Sequence, residues 1–103
     1  MGAETEVIKS SQDYNSLTRE FKIMNQYGIH ARPAALFAKI ASRFDSNIVV
    51  EKDKNSVSGK SIMGLMTLEA SCGSILKVTA EGEDAVQMLD ELQKLVKNKF
   101  DEE

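Results

Sequence analysis

The chain has 103 residues, 42% hydrophobic and 28% charged, with a formal net charge of −3. That length supports one domain with a modest core, and the acidic balance argues against nucleic acid as the main partner. The single cysteine, Cys72, excludes an intrachain disulfide and suits a reducing cytoplasm. With the single histidine it makes no metal-ligand cluster, so neither metal nor cofactor is expected.

No apolar run reaches the length of a membrane span, and the N-terminus lacks the apolar core of a signal peptide. Residues 1–18 are polar, with Val7, Ile8, Tyr14 and Leu17 as their sizeable apolar groups. They are expected to form a flexible extension, inert or used for docking, ahead of one domain over residues 19–103. Arg19 to Met24 alternates, with Phe21 and Ile23 on the core side, which predicts a strand. Asn25 to Gly28 is a loop. The segment Gly28-Ile29-His30-Ala31-Arg32-Pro33-Ala34-Ala35 then leads into a helix whose stripe is Phe37, Ile40, Ala41 and Phe44, with Lys39 and Arg43 in water.

Asp45-Ser46-Asn47 has turn chemistry. Ile48 to Lys52 predicts a second strand, Asp53-Lys54-Asn55 a hairpin turn, and Ser56 to Gly59 a third strand. Ser61 to Thr67 predicts a short helix with Ser61 as N-cap. After a loop over residues 69–74, Ile75 to Ala80 alternates again and predicts a fourth strand. Glu83 and Asp84 open a long helix at the end its dipole prefers for acids. Its stripe is Ala85, Leu89, Leu92 and Val96. Phe100 is expected to flank that stripe, and Asp101-Glu102-Glu103 to fray. The order β-α-β-β-α-β-α predicts an α+β open-faced sandwich, a four-stranded antiparallel sheet with its helices on one face.

The chemistry concentrates around His30. Pro33 can occupy a first helical turn, which sets His30 at or beside the N-cap, near the free amides of Ala31 and Arg32. Such a helix start attracts anions, and the Arg32 guanidinium can bind phosphate oxygens in bidentate fashion. A neutral imidazole carries its own lone pair and needs no base to act as a nucleophile. Taken singly these signals are weak. A lone histidine there as readily caps the helix, Arg32 as readily faces solvent, and Cys72 reads as a small turn residue. Met63 and Met66 could be core, but a short helix cannot bury every side of itself, and methionine suits adaptable contacts.

The string Gly28 to Ala35 resembles the active-centre motif of HPr, the histidine-containing phosphocarrier of the bacterial phosphoenolpyruvate-dependent sugar phosphotransferase system. Further on, Gly59-Lys60-Ser61-Ile62-Met63-Gly64-Leu65-Met66 is similar to the HPr segment that holds a regulatory serine. The resemblance implies that His30 takes a phosphoryl group on Nδ1 from Enzyme I and passes it to enzyme IIA domains, as a cosubstrate more than a catalyst. Arg32 and the amides of Ala31 and Arg32 would hold the phosphate. Ser61 would be the target of an HPr kinase/phosphorylase. Ile62, Met63 and Met66 would form the docking surface, with Lys39 steering acidic partners. It also implies a cytoplasmic monomer that neither enters membranes nor binds nucleic acid. The polar extension departs from the family pattern. Two other readings stay open: a nitrogen-type regulatory relative, and a small interaction module in which His30 is merely structural.

Overall fold

A computed structural model describes residues 16–102. The expected tail over residues 1–15 lies outside the described residues, and residues 16–18 are already part of the first strand. That strand, β1, spans Ser16–Lys22. It starts earlier than Arg19 because Leu17 continues the inward alternation and packs on the core. Arg19 faces the same side, where its guanidinium donates to Gln93 at 2.7 Å and pairs with Asp90 at 2.9 Å.

The remaining elements are α1 (Ala31–Ala41), β2 (Asn47–Lys52), β3 (Asn55–Ser58), α2 (Ile62–Thr67), β4 (Ile75–Glu81) and α3 (Ala85–Lys97). The sheet order is β1-β4-β2-β3, with every pairing antiparallel. β4 therefore lies between the first strand and the β2–β3 hairpin. Inward residues Phe21, Ile48, Val50, Leu76, Val78 and Ala80 are all buried under the helices. On the other face Thr18, Val49 and Lys77 remain exposed. This is the expected open-faced sandwich.

Alanine sets the helix positions. α1 buries Pro33, Ala34, Phe37, Ala38 and Ala41, while Ile40 and Phe44 are only partly covered. The small residues let the helix axis approach the sheet, which turns the buried stripe toward Ala34 and Ala38 and away from Ile40. α3 buries Met88 and Leu95 along with the expected Ala85, Leu89, Leu92 and Val96. Each large side chain fully buried in this way contributes about 1.5–3 kcal/mol.

Asp84 does not serve its own helix. It occupies the N-cap position of α3 without making a side-chain cap. Its carboxylate instead accepts from the backbone amides of Asp45 and Ser46, each at 2.9 Å, and from the Ser46 hydroxyl. It thereby clamps the α1–β2 turn. These bonds, the Ser46 hydroxyl first, hold the Asp84 carboxyl below its ordinary value of 3.8. A carboxylate depressed by folding adds stability above its ordinary value and loses it as the pH falls through the depressed one. Asp84→Ala is therefore expected to lower the melting temperature at neutral pH. The gap to wild type should close on acidification below 3.8. Thermal melts followed by circular dichroism across that range check this; a gap independent of pH would show that the charge contributes nothing.

Asp101 and Glu102, expected to fray, are ordered by the turn that follows α3, and Glu103 lies outside the described residues. Lys99–Asp101 forms a 3₁₀ turn with φ values of 55°, 56° and 60°, in the left-handed region. Each such residue costs roughly 1–2 kcal/mol. The turn persists because Phe100, expected only to flank the helix stripe, is completely buried in the core. The Arg32 guanidinium also donates to the Phe100 carbonyl at 3.0 Å. Glu102 is thereby returned to the start of α1.

Candidate functional site

His30 is the N-cap of α1, with extended backbone angles and no side-chain cap bond; its carbonyl accepts the first helical bond, from Ala34 N–H at 3.0 Å. The amides of Ala31 and Arg32 stand in the first turn without intrahelical partners, and Pro33 has none to offer. Gly28 fixes the approach to this turn. Its φ is +66°, and a Cβ there would lie 2.2 Å from the Ala70 carbonyl oxygen and 2.8 Å from Ser71 Cα. Only glycine fits, and the Ile29 amide completes the join to Ala70 at 2.9 Å.

Imidazole Nε2 lies 2.8 Å from Glu102 Oε2. Nδ1 has no hydrogen-bond partner among the described residues. The other carboxylate oxygen of Glu102 accepts from Asn25 Nδ2 at 3.0 Å, and the same nitrogen donates to the Gly28 carbonyl at 2.7 Å. Asn25 is only 1% exposed, and its Oδ1 is buried without a partner. The Asn25 hydrogen bond is the foremost cause that holds the Glu102 carboxyl below its ordinary range. Burial opposes it, and His30 and Arg32 add to it. Tyr27 stands edge-on to the imidazole, ring centroids 6.4 Å apart at 84°.

Arg32 is brought to the same place by way of the tail, with Nη1 3.6 Å from Glu102 Oε2. Ser61 caps α2 as expected, its hydroxyl accepting from Gly64 N–H at 2.9 Å. Ile62, Met63 and Met66 are exposed, Met63 by 77%, while Leu65 turns into the core. α2 packs beside α1, so this apolar patch neighbours the helix that begins at His30. Lys39 is exposed in the last turn of α1, about 13 Å along the axis from His30. It can act there only through its field.

Glu102, Asn25 and Tyr27 are members of the site that sequence reasoning missed. The isolated apolar Phe100 among charged residues was the one available sign that the tail returns. Among the described residues no group of His, Cys, Asp and Glu is arranged to hold a metal ion, and no helix is long and apolar enough to cross a membrane.

A helix start with an exposed histidine, a ring nitrogen unpartnered among the described residues and an arginine suits reversible phosphoryl transfer. The comparisons with known proteins agree with this. The family model for the PTS HPr component phosphorylation site matches residues 17–98. Phosphocarrier protein HPr of Treponema pallidum is 46% identical over 87 residues, covering 84% of this chain and 99% of its own. HPr-like protein Crh of Bacillus subtilis is 49% identical over 65 residues, covering 63% and 76%. A crystal structure of HPr from Thermoanaerobacter tengcongensis superposes with a TM-score of 0.81 at 47% identity, covering 84% of this chain and 98% of that one. With the motif at a helix start and the fold in common, the chain belongs to the HPr family of phosphocarriers of the phosphotransferase system.

Proposed function

We propose that this protein accepts a phosphoryl group from Enzyme I on Nδ1 of His30 and hands it to enzyme IIA domains. One observation carries the reading: the exposed imidazole stands at the N-cap of α1 with Nε2 engaged by Glu102, 2.8 Å away, and with Nδ1 unpartnered among the described residues. The Nδ1 lone pair attacks phosphorus while the bond to the donor breaks. The amides of Ala31 and Arg32 face the incoming oxygens, and the Arg32 guanidinium can exchange the Phe100 carbonyl for one of them. Half-exposed groups of this kind hold phosphate without trapping it. The Ile62, Met63 and Met66 patch gives both partners an apolar surface to dock on, and Lys39 steers acidic ones.

The test is incubation with labelled phosphoenolpyruvate and a purified Enzyme I. The expected result is one acid-labile phosphate per chain, delivered onward to an enzyme IIA domain. No uptake would overturn the reading.

Ser61 is the regulatory site in this proposal, addressed by an HPr kinase/phosphorylase. A charge at this N-cap is compatible with the helix, because the capped amide and dipole favour it. It enters the docking surface one residue before Ile62. Ser61→Asp is expected to keep the wild-type melting temperature and to slow transfer from Enzyme I about tenfold, which is roughly 1.4 kcal/mol. The loss should appear as a raised KM, because His30 is untouched. Wild-type kinetics in this variant would remove Ser61 from the docking surface.

A further inference from the structure

The tail carboxylate has a chemical consequence for the histidine. We infer that Glu102, held by Asn25, is a positioning residue that fixes the His30 tautomer and supports the charged ring of the phosphorylated form. The inference rests on the phosphocarrier reading above.

An ionised carboxylate can only accept hydrogen bonds. Glu102 Oε2 lies 2.8 Å from Nε2, so Nε2 must be the protonated nitrogen. In a neutral imidazole the lone pair is then on Nδ1. Asn25 keeps the carboxylate in place. Its two amide hydrogens go to Glu102 Oε1 and the Gly28 carbonyl, at 3.0 and 2.7 Å, so one side chain ties the tail to the loop before His30. Buried Phe100 prevents withdrawal. The Glu102 side chain is only 22% exposed, against 43% for His30, so water competes weakly for its contact.

The ring changes charge during transfer. As Nδ1 bonds to phosphorus, the electron pair of the broken bond leaves with the donor. The ring keeps its Nε2 proton and becomes a phosphoimidazolium, its positive charge facing Glu102. On delivery the N–P electron pair returns to Nδ1, and a neutral imidazole with the same proton leaves. The carboxylate thus selects the nucleophilic nitrogen and stabilises the cation, as the buried carboxylate does for the histidine of a hydrolase triad. Because Nδ1 and Nε2 lie across the ring from each other, Glu102 touches the N–H and not the phosphoryl oxygens.

The test uses the full chain with ¹⁵N-labelled histidine, at a pH where the ring is neutral. Wild type is expected to show the Nε2–H tautomer alone. Glu102→Ala should show a mixture of tautomers, and Glu102→Gln, which retains an acceptor oxygen, should restore the single tautomer. In transfer from Enzyme I, Glu102→Ala should reduce kcat about tenfold with KM unchanged, because Glu102 lies outside the docking patch. Glu102→Gln should fall between, having the acceptor without the charge. An unchanged tautomer in Glu102→Ala, or a loss confined to KM, overturns the inference. The spectra require no phosphate, so they judge Glu102 even if wild type takes up none, a result that would overturn the phosphocarrier reading instead.

Discussion

Replacing His30 with alanine is expected to abolish uptake of phosphate from phosphoenolpyruvate, leaving no acid-labile label on the chain. Nothing nearby can substitute as acceptor, because His30 is the one histidine of the chain. The fold should tolerate the change. The backbone bond from Ala34 N–H to the His30 carbonyl is retained, and the side chain is 43% exposed. The melting curve should therefore stay close to wild type, as for most surface substitutions. Labelling and melting measured on one preparation separate the two effects. Persisting acid-labile phosphate would remove His30 as the carrier, and a collapsed melting curve would make the residue structural.

The largest loss of stability is expected from Phe100→Ala. Phe100 is completely buried, and truncating a buried phenylalanine costs about 3–5 kcal/mol, the transfer term plus the cavity left behind. In a domain of this size that lowers the melting temperature by roughly 15 °C or more. The same variant removes the anchor that keeps the left-handed turn in place. Glu102 and the Arg32 contact to the Phe100 carbonyl should loosen with it, and kcat for transfer should fall even well below the melting temperature. Denaturant unfolding and transfer kinetics at low temperature check both parts. A cost under about 1 kcal/mol would mean that the tail is not packed as a core element.

The architecture was legible because it is written in short-range periodicity. Alternation at Phe21 and Ile23, the β-branched run at Ile48 to Val50 and the capping serine at Ser61 each specify an element within a few residues. Boundaries moved where a partner strand decides them, as at Leu17, which the ladder to Ala80 recruits into β1. The local half of the site was also legible, since Gly28, His30, Arg32 and Pro33 lie within one turn and its approach. The other half was not. Glu102 meets His30 across 72 residues of sequence. Nothing in Asp101-Glu102-Glu103 marks one acid as different from its neighbours, and three consecutive left-handed residues without glycine run against local propensity. Asp84 illustrates the same limit. Its position before a helix is readable, but its bonds to Asp45 and Ser46 depend on a tertiary approach.

The position of β4 in the sheet has a bearing on how the molecule is made. β4 is hydrogen-bonded to both β1 and β2, so β1 has no partner strand until residue 81 has been synthesised, and Glu102 comes later still. A chain leaving the ribosome presents its histidine early, on a sheet that cannot yet close. The β2–β3 hairpin and α1 can form locally, but the long-range ladders wait for the last third of the polypeptide. Folding should therefore be a late, concerted event rather than a progressive one. A nascent chain halted before residue 75 would be open to proteases throughout, and His30 would acquire its carboxylate neighbour only once Glu102 has emerged.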